Sequence, residues 1–419
     1  MKLGKHTLLI DGNYFLHSRL FVLPRPKGKQ LLGDKESQSQ LMRKLCIDFA
    51  SEVRKMAPFV DQIVVAVDAK SWRKDLFPDA QYKGTRTHDD SINWKAVFGV
   101  YAEWQKILEQ KGIIIHQVQG AEADDVMYGW STQLNSEGKN CIAWTGDRDL
   151  IQLVNYNQAT DAYTLWYYNS KKKLIAFEGF EDVMASRKTS AMTNDELLFN
   201  IASEEATYDK LKEDFQAWMD KNRVEVQEIN CDDFVFGKIL QGDKSDNIPS
   251  VITWTKAASN GKIRNYSLTE KHCVKILEQY KKEESEFTIE HFFNRGQVNK
   301  LVDIIYRVVG HSSQTLIKTN LTQNIALMLL HNKTIPDPIQ KAIYAAIEKD
   351  WEGAIENKNS IMEMDKILEG TDWLEGAKKN TFAPDPFAGM DIPKEESPMK
   401  LVGKKTAKTI KKDPTKKLF

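Results

Sequence analysis

The chain has 419 residues, of which 41% are hydrophobic, so it is long enough to bury at least one substantial core. Basic and acidic residues balance at 59 each, so the overall charge gives no reason to expect a polyanionic partner. The four cysteines form no Cys-x-x-Cys pair, which argues against a zinc site and a disulfide framework. No apolar stretch reaches about 18 residues, and we expect a soluble, cytoplasmic protein.

The first part of the chain alternates between short apolar runs and longer helical patterns. Four apolar runs predict strands at 7–10, 62–67, 112–116 and 139–144. Apolar residues recur at helical spacing between them, at 38–56, 94–110 and 123–134. Continuous apolar strands that alternate with helices are typical of a parallel sheet covered on both faces. We therefore predict an α/β core with a mostly parallel sheet flanked by helices.

The rest of the chain contains three segments that differ in composition. Residues 184–228 are charged and favour helix, which predicts an insertion, either inert bulk or a surface for a partner. Helical patterns at 270–279, 298–308 and 338–348 predict an all-helical C-terminal extension over 252–376. Residues 400–417 carry eight lysines and one acid, so we expect 377–419 to be a flexible basic tail.

Acidic residues stand at the ends of the predicted strands, at helix starts and in a turn-rich loop. They are Asp11, Asp68, Glu122, Asp124, Asp125, Asp147, Asp149, Asp243 and Asp246. Taken singly, an acid before a helix is more often an N-cap than a ligand. Open α/β sheets, however, bind their ligands beyond the carboxyl ends of the strands. Nine acids at one such edge would repel one another strongly unless cations neutralised them.

The absence of His and Cys from this set favours a hard cation. Carboxylate oxygens suit Mg²⁺, for which Mn²⁺ can substitute. A site with two such ions is typical of phosphoryl chemistry, because one ion activates a water and the other stabilises the leaving oxygen.

Six motifs occur in a fixed order over residues 1–251. They are Asp11-Gly-Asn, Asp68 followed by Trp72-Arg73-Lys74, Tyr82-Lys83-x-x-Arg86, Glu122-Ala-Asp-Asp, Thr145-Gly-Asp-Arg-Asp and Gly242-Asp-Lys-Ser-Asp-Asn. With these motifs the chain resembles the flap-endonuclease and 5′ to 3′ exonuclease family, and the likeness extends to the ribonucleases H of T-even phages. The resemblance implies a PIN-like 5′-nuclease core at 1–183 and 229–251, with a helical arch at about 83–110. It also implies a Mg²⁺-dependent enzyme that removes RNA primers and DNA flaps in lagging-strand replication.

The resemblance implies a role for each matched residue. One metal ion would be held by Asp11, Asp68, Glu122 and Asp124, and the other by Asp147, Asp149 and Asp243, with Asp125 and Asp246 in supporting positions. The scissile phosphate would be gripped by Lys83 and Arg86, with Arg73 as a further cation. The ring of Tyr82 would stack on a base near the cut.

Two regions depart from the family pattern or add to it. The family's Gly-rich helix-turn-helix, which holds duplex DNA around K⁺, has no matching Gly-x-Gly pattern after Pro249, yet the following segment is basic. We therefore predict DNA contacts from Lys256, Lys262 and Arg264. The tail ends in Leu418-Phe419. This apolar pair is either a docking peptide for a sliding clamp or part of an arm that only raises DNA affinity.

The substrates implied are branched or nicked DNA and RNA/DNA hybrids. A sliding clamp and a single-strand-binding protein are candidate partners of a monomer that has no membrane association. Two other functions remain open, a PIN-type endoribonuclease and a non-catalytic adaptor that recognises DNA branches. The Tyr-Lys-x-x-Arg motif argues against the first, and the complete set of metal-binding acids argues against the second.

Overall fold

The computed structural model describes residues 6–25, 28–76, 82–84, 89–186, 210–257 and 262–356. Within these ranges an eight-stranded sheet runs in the order β3-β2-β1-β4-β6-β7-β8, and β5 pairs with β6. The strands are β1 (His6–Asp11), β2 (Val60–Val67), β3 (Ile114–Gln117), β4 (Cys141–Trp144), β5 (Asn155–Asn157), β6 (Ala162–Tyr168), β7 (Lys173–Phe177) and β8 (Glu225–Ile229). The first four strands and β6 pair in parallel. The prediction of a mostly parallel sheet is confirmed.

Helices flank this sheet and continue beyond it. They are α1 (Gly12–Leu20), α2 (Lys35–Met56), α3 (Arg73–Leu76), α4 (Trp94–Gln110), α5 (Ala123–Ser136), α6 (Phe180–Ser186), α7 (210–222), α8 (Cys231–Gln241), α9 (Glu270–Glu284), α10 (Arg295–Val309), α11 (Gln314–Met328) and α12 (Asp337–Glu356). Among the described helices, none has the length and apolarity needed to cross a membrane.

Helix α4 corrects the prediction of an arch at 83–110. Its buried residues recur at helical spacing and include Val97, Val100 and Trp104. The Trp104 ring stacks on Phe15 of α1, with ring centroids 5.4 Å apart. Residues 94–110 are therefore a core helix, because their apolar face is buried against α1 and α2 rather than open to a passing strand. Of the rest of the predicted arch, 85–88 lie outside the described residues.

The predicted insertion at 184–228 also needs correction. Helix α7 buries Phe215, Trp218 and Met219 in the main core, and Phe215 lies 5.0 Å from Phe59 between ring centroids. Strand β8 then pairs in parallel with β7. Residues from 210 onwards thus belong to the core, and 187–209 lie outside the described residues.

The C-terminal region is mostly helical, as predicted, but not all-helical. Strands β9 (Thr253–Ala257) and β10 (Ile263–Ser267) form an antiparallel hairpin directly after the Gly-Asp-Lys-Ser-Asp-Asn loop. The alternation of β-branched and aromatic residues with polar ones, as in Thr-Trp-Thr, is the sequence signal for these strands. Helix α12 returns to the sheet, where Asp350 lies 2.7 Å from the Nε2 of His116 on β3. The predicted tail at 377–419 lies outside the described residues.

Candidate active site

A cleft of about 450 Å³ opens where β1, β2 and β4 end. Eight of the nine predicted acids line it: Asp11, Asp68, Glu122, Asp124, Asp147, Asp149, Asp243 and Asp246. The parallel sheet explains their convergence, because β1, β2 and β4 all deliver their carboxyl ends to this edge. The remaining acid, Asp125, does not line the cleft.

Asp11 combines a capping role with a place in the cleft. Its carboxylate accepts hydrogen bonds from the backbone N–H of Tyr14 and from the Thr145 hydroxyl, both at 2.9 Å. Burial raises the pKa of Asp11 to about 7, and the nearby charge of Asp68 acts in the same direction. Asp11 is therefore both the N-cap of α1 and a carboxylate whose ionised form a cation would stabilise.

Asp68 is fixed between two helices. One carboxylate oxygen accepts the Ala123 N–H at the start of α5, at 2.7 Å, and the other accepts the side-chain amide of Asn13 on α1. These contacts fix the position of Asp68, at the end of β2, relative to Asp11, at the end of β1.

Glu122 lies among three side-chain donors. Its carboxylate accepts the hydroxyl of Tyr82 and a guanidinium N–H of Arg73, both at 3.0 Å, and it pairs with the ammonium of Lys83. Burial would raise the pKa of Glu122, but the charges of Lys83 and Arg73 outweigh that effect and lower it. Lys83 has a left-handed backbone with φ of 55°, and its N–H donates to the Asp246 carbonyl at 2.9 Å.

Arg73 lines the cleft and forms a buried pair with Asp125, which does not line it. The guanidinium donates to both carboxylate oxygens of Asp125, at 3.0 and 2.7 Å, and to the Leu327 carbonyl at 2.9 Å. Arg73 is only 2% exposed and Asp125 is fully buried. The structure thus corrects the predicted phosphate-gripping role of Arg73, because its donors are turned toward protein acceptors. Asp125 supports α5 instead by accepting the Glu122 N–H at 3.0 Å.

Tyr82 also differs from its predicted role. Its ring is 7% exposed and packs with Ile248 and Leu327, while its hydroxyl bonds Glu122. A ring packed in this way has no open face on which a base could stack. Its contribution to the cleft is a hydrogen bond that orients Glu122.

The second group of acids surrounds a lysine that the sequence reasoning missed. The Lys238 ammonium lies 2.6 Å from Oδ1 of Asp149 and 3.5 Å from Oδ2 of Asp243. Burial and the charge of Asp147 raise the pKa of Asp149 to about 6. The signal that could have identified Lys238 is its place in the last turn of α8, one turn before the loop that carries Asp243.

The donor chemistry of the cleft fits divalent cations with oxygen ligands. As the side chains are placed, no three His, Cys, Asp or Glu residues of the described ranges converge closely enough to hold a metal ion. The charges of Lys83 and Lys238 lie among the acids instead. Burial, with repulsion from Asp147 and Asp11, nevertheless raises the pKa of Asp124 well above its usual range. Burial thus favours the protonated form of this carboxyl, and a bound oxygen-seeking cation would favour its ionised form instead.

The remaining predicted residues lie elsewhere. Lys256, Lys262 and Arg264 are exposed on or beside the β9–β10 hairpin and do not line the cleft. Arg86, Leu418 and Phe419 lie outside the described residues.

Residues 6–198 match the family model described as 5'-3' exonuclease, N-terminal resolvase-like domain. Over these residues the chain is similar to a 5′ to 3′ exonuclease domain. This match covers the first five of the six motifs, with the acids from Asp11 to Asp149, and it confirms the resemblance to the flap-endonuclease and 5′ to 3′ exonuclease family.

Curated relatives share only part of their length with the chain. A DNA polymerase I from Rhizobium leguminosarum is 28% identical over 160 residues, which cover 38% of this chain and 15% of the relative. A 5'-3' exonuclease from Mycoplasmopsis pulmonis is 27% identical over 175 residues, 41% of this chain and 52% of the relative. Among solved structures, the T5 D15 protein co-crystallised with metal ions has a TM-score of 0.45 at 13% identity, covering 86% of this chain and 99% of that one.

Proposed function

We propose that this chain is a structure-specific 5′ nuclease that hydrolyses phosphodiesters of RNA primers and DNA flaps during lagging-strand replication. One observation carries the proposal. Eight carboxylates and Lys83 line one cleft at the carboxyl edge of the sheet, Lys238 pairs with two of these acids, and six of the eight lie in the residues that match a 5′ to 3′ exonuclease domain. Acids in that number suit the binding of two Mg²⁺ ions, for which Mn²⁺ can substitute.

Two groups of side chains would hold the ions. Asp11, Asp68, Glu122 and Asp124 form one group, and Asp147, Asp149 and Asp243 the other, with Asp246 beside Lys83. When bound, divalent ions supply a water of lowered pKa and stabilise negative charge on phosphate oxygens. The resulting ends would be a 3′-hydroxyl and a 5′-phosphate.

The chain's own cations would act on the phosphate. Lys83 lies in the cleft and its ammonium is 3.9 Å from Oδ2 of Asp246. Burial would lower the pKa of Lys83, but the charges of Glu122 and its other neighbours raise it, so the ammonium stays charged at neutral pH. A fixed positive charge at this place would stabilise charge that develops on the scissile phosphate. We assign Arg86 the same task on the evidence of the motif alone.

The proposal is tested with three labelled substrates in Mg²⁺: a 5′-flap duplex, a single-stranded RNA and a blunt duplex. We expect flap cleavage that EDTA and Asp149→Asn abolish. Asp303→Asn is the matched control, because Asp303 is an exposed acid of α10 outside the cleft. RNA cleavage without flap preference would favour the endoribonuclease, and tight flap binding without cleavage would favour the adaptor.

The tail is a separate part of the proposal. We propose that Leu418 and Phe419 dock into a sliding clamp, because an apolar pair that follows a lysine-rich segment suits a pocket on another replication protein. Deleting both residues should abolish clamp binding and leave clamp-free cleavage unchanged. If clamp binding survives the deletion, the docking hypothesis is rejected, and the tail serves only to raise the affinity for DNA.

A further inference from the structure

The turn that carries Asp147 and Asp149 is a short 3₁₀ helix. It spans the six residues Arg148–Leu153, directly after β4, and Asp147 is its N-cap. Helices of this kind have poorer hydrogen-bond geometry than α-helices and seldom extend beyond about four residues. A helix of this length therefore needs contacts with other parts of the protein to keep a fixed position.

The side chain of Gln152 provides such contacts. Its amide nitrogen donates to the Asp149 carbonyl at 2.9 Å and to the Met328 carbonyl at 3.1 Å. Its amide oxygen accepts the Leu330 N–H at 2.8 Å. The N–H of Asp149 in turn donates to Oδ1 of Asp147 at 2.8 Å. Gln152 thus links the turn with both acids to the end of α11 and the residues that follow it.

The chemistry of these contacts requires an amide. Two of the partners are carbonyl acceptors and the third is an N–H donor, and a glutamine side chain offers both donors and an acceptor. An ionised carboxylate of the same shape has no donor, and an aliphatic side chain has neither group. Gln152 is partly buried and lines the cleft. Its residue type therefore matches its place between the turn and the C-terminal region.

We infer that Gln152 is a positioning residue that sets the place of Asp147 and Asp149 for a metal ion. Mg²⁺ demands near-octahedral geometry with oxygen ligands at about 2.0–2.1 Å, so a shift of the turn by about 0.5 Å would weaken the site. Groups that orient metal ligands typically contribute about 10- to 100-fold in metal affinity or activity. The inference rests on the proposed function for the presence of the ions. It adds a residue that acts on them through two acids.

The simpler alternative is a purely structural role for Gln152. Met328 is the last residue of α11, and the last carbonyls of a helix have no partner within it. A side chain that only satisfied this helix end would contribute to folding stability and not to metal binding. The additional bond to the Asp149 carbonyl favours the positioning role, and metal binding separates the two roles.

The test titrates the protein with Mn²⁺ by calorimetry in the absence of DNA, so that binding is measured apart from cleavage. Gln152→Met keeps the length of the side chain and removes the amide. It should weaken the binding of one Mn²⁺ ion about 10- to 100-fold. In flap cleavage, the Mg²⁺ concentration that gives half the maximal rate should rise by the same factor, while the KM for the flap stays unchanged.

A second glutamine provides the matched control. Gln297 is also partly buried, and its side chain donates to Glu284 at 2.8 Å and accepts the Tyr280 hydroxyl at 2.7 Å, outside the cleft. Gln297→Met should lower the melting temperature, as Gln152→Met should, but leave Mn²⁺ binding unchanged.

A second variant at the same position applies if Gln152→Met does not fold. Gln152→Asn keeps an amide, but its side chain is about 1.5 Å shorter, which takes the bonds to Met328 and Leu330 out of hydrogen-bonding range. It should therefore weaken the same Mn²⁺ ion.

Three results would overturn the inference. Unchanged Mn²⁺ affinity in the Gln152 variants would leave this residue with the structural role alone, and an equal loss in Gln297→Met would attribute the effect to lower stability. An equal weakening of both ions would reject the assignment to the turn of Asp147 and Asp149. The proposed function fails separately. If the unchanged protein binds Mn²⁺ and the variants show the expected loss, but no flap is cleaved in Mg²⁺, the nuclease is refuted and the positioning role stands.

Discussion

Lys238 provides a direct test of the charge balance in the cleft. Its ammonium lies 2.6 Å from Asp149 and 3.5 Å from Asp243, where it neutralises two carboxylates in the absence of metal. Lys238→Met keeps the length of the side chain and removes the charge. A hydrogen bond to a charged group contributes about 1.5–3 kcal/mol, and we take about 2 kcal/mol because the Lys238 side chain is 28% exposed and partly screened by water.

The variant should therefore be less stable than the unchanged protein without metal, and this difference should shrink when metal is added. Without metal, its free energy of unfolding should fall by about 2 kcal/mol, which lowers the melting temperature of a chain of this length by about 2–3 °C. With Mg²⁺ or Mn²⁺, the loss should shrink, since the cation replaces the missing ammonium between Asp149 and Asp243. If all of that energy opposes metal entry in the unchanged protein, metal affinity in the variant rises by up to about 30-fold. Thermal melts in EDTA and in a Mn²⁺ series, with calorimetric titration, measure both effects.

A second lysine pair supplies the control. Lys281 lies 2.6 Å from Asp233, at the same distance as the pair in the cleft but outside it. Lys281→Met should destabilise the protein comparably with and without metal. The reasoning about Lys238 is refuted if its variant melts like the unchanged protein in EDTA, or if added metal stabilises both variants equally.

Three further predictions concern single residues. Lys83→Ala should lower kcat for flap cleavage by about 10²–10³ with little change in KM, because its charge acts on the transition state. Burial lowers the pKa of His6 to about 4, so between pH 6.5 and 4 this imidazole gains its proton more readily in the unfolded state; in urea titrations over this range, the unfolding free energy of the unchanged protein should fall by about 3 kcal/mol more than that of His6→Phe. Gly242→Ala should reduce both melting temperature and cleavage, because φ is +69° and the new methyl group would clash with the Pro249 carbonyl.

The parallel core could be predicted because its strands are buried on both sides. Strand β1 is buried at every residue, and this produces the continuous apolar run that the sequence displays. Strand β8 escaped prediction because only Ile229 at its end is buried. A strand at the edge of a sheet has no such run, and pairing with β7, which is distant in sequence, decides its structure.

The acids were predictable as a set, whereas the cations around them were not. The acids follow from strand ends and motif order, which a sequence displays directly. The position of Arg73 depends on Asp125, 52 residues away, and on the Leu327 carbonyl, 254 residues away. No local sequence pattern distinguishes an arginine that binds a phosphate from one whose donors are all bonded to other protein groups. The spacing of apolar residues at 94–110 correctly predicted a helix, but such spacing does not show which other helices or strands cover its apolar face.

The depth at which each cation near the cleft is buried determines which groups its charge can interact with. Arg73 is buried with Asp125 and Glu122, and its charge is neutralised by these two carboxylates. Its further hydrogen bond to the Leu327 carbonyl links α5 to the C-terminal region. Lys83 and Lys238 lie at intermediate depth among the cleft acids, where a bound ion or a phosphate would change their surroundings. Eight acids line the cleft against three cations in its lining, Arg73, Lys83 and Arg148, with Lys238 beside Asp149, and in their ionised form these acids would repel a phosphodiester. Under the proposed function, divalent cations bound to these acids would remove that repulsion and allow a nucleic-acid substrate to enter.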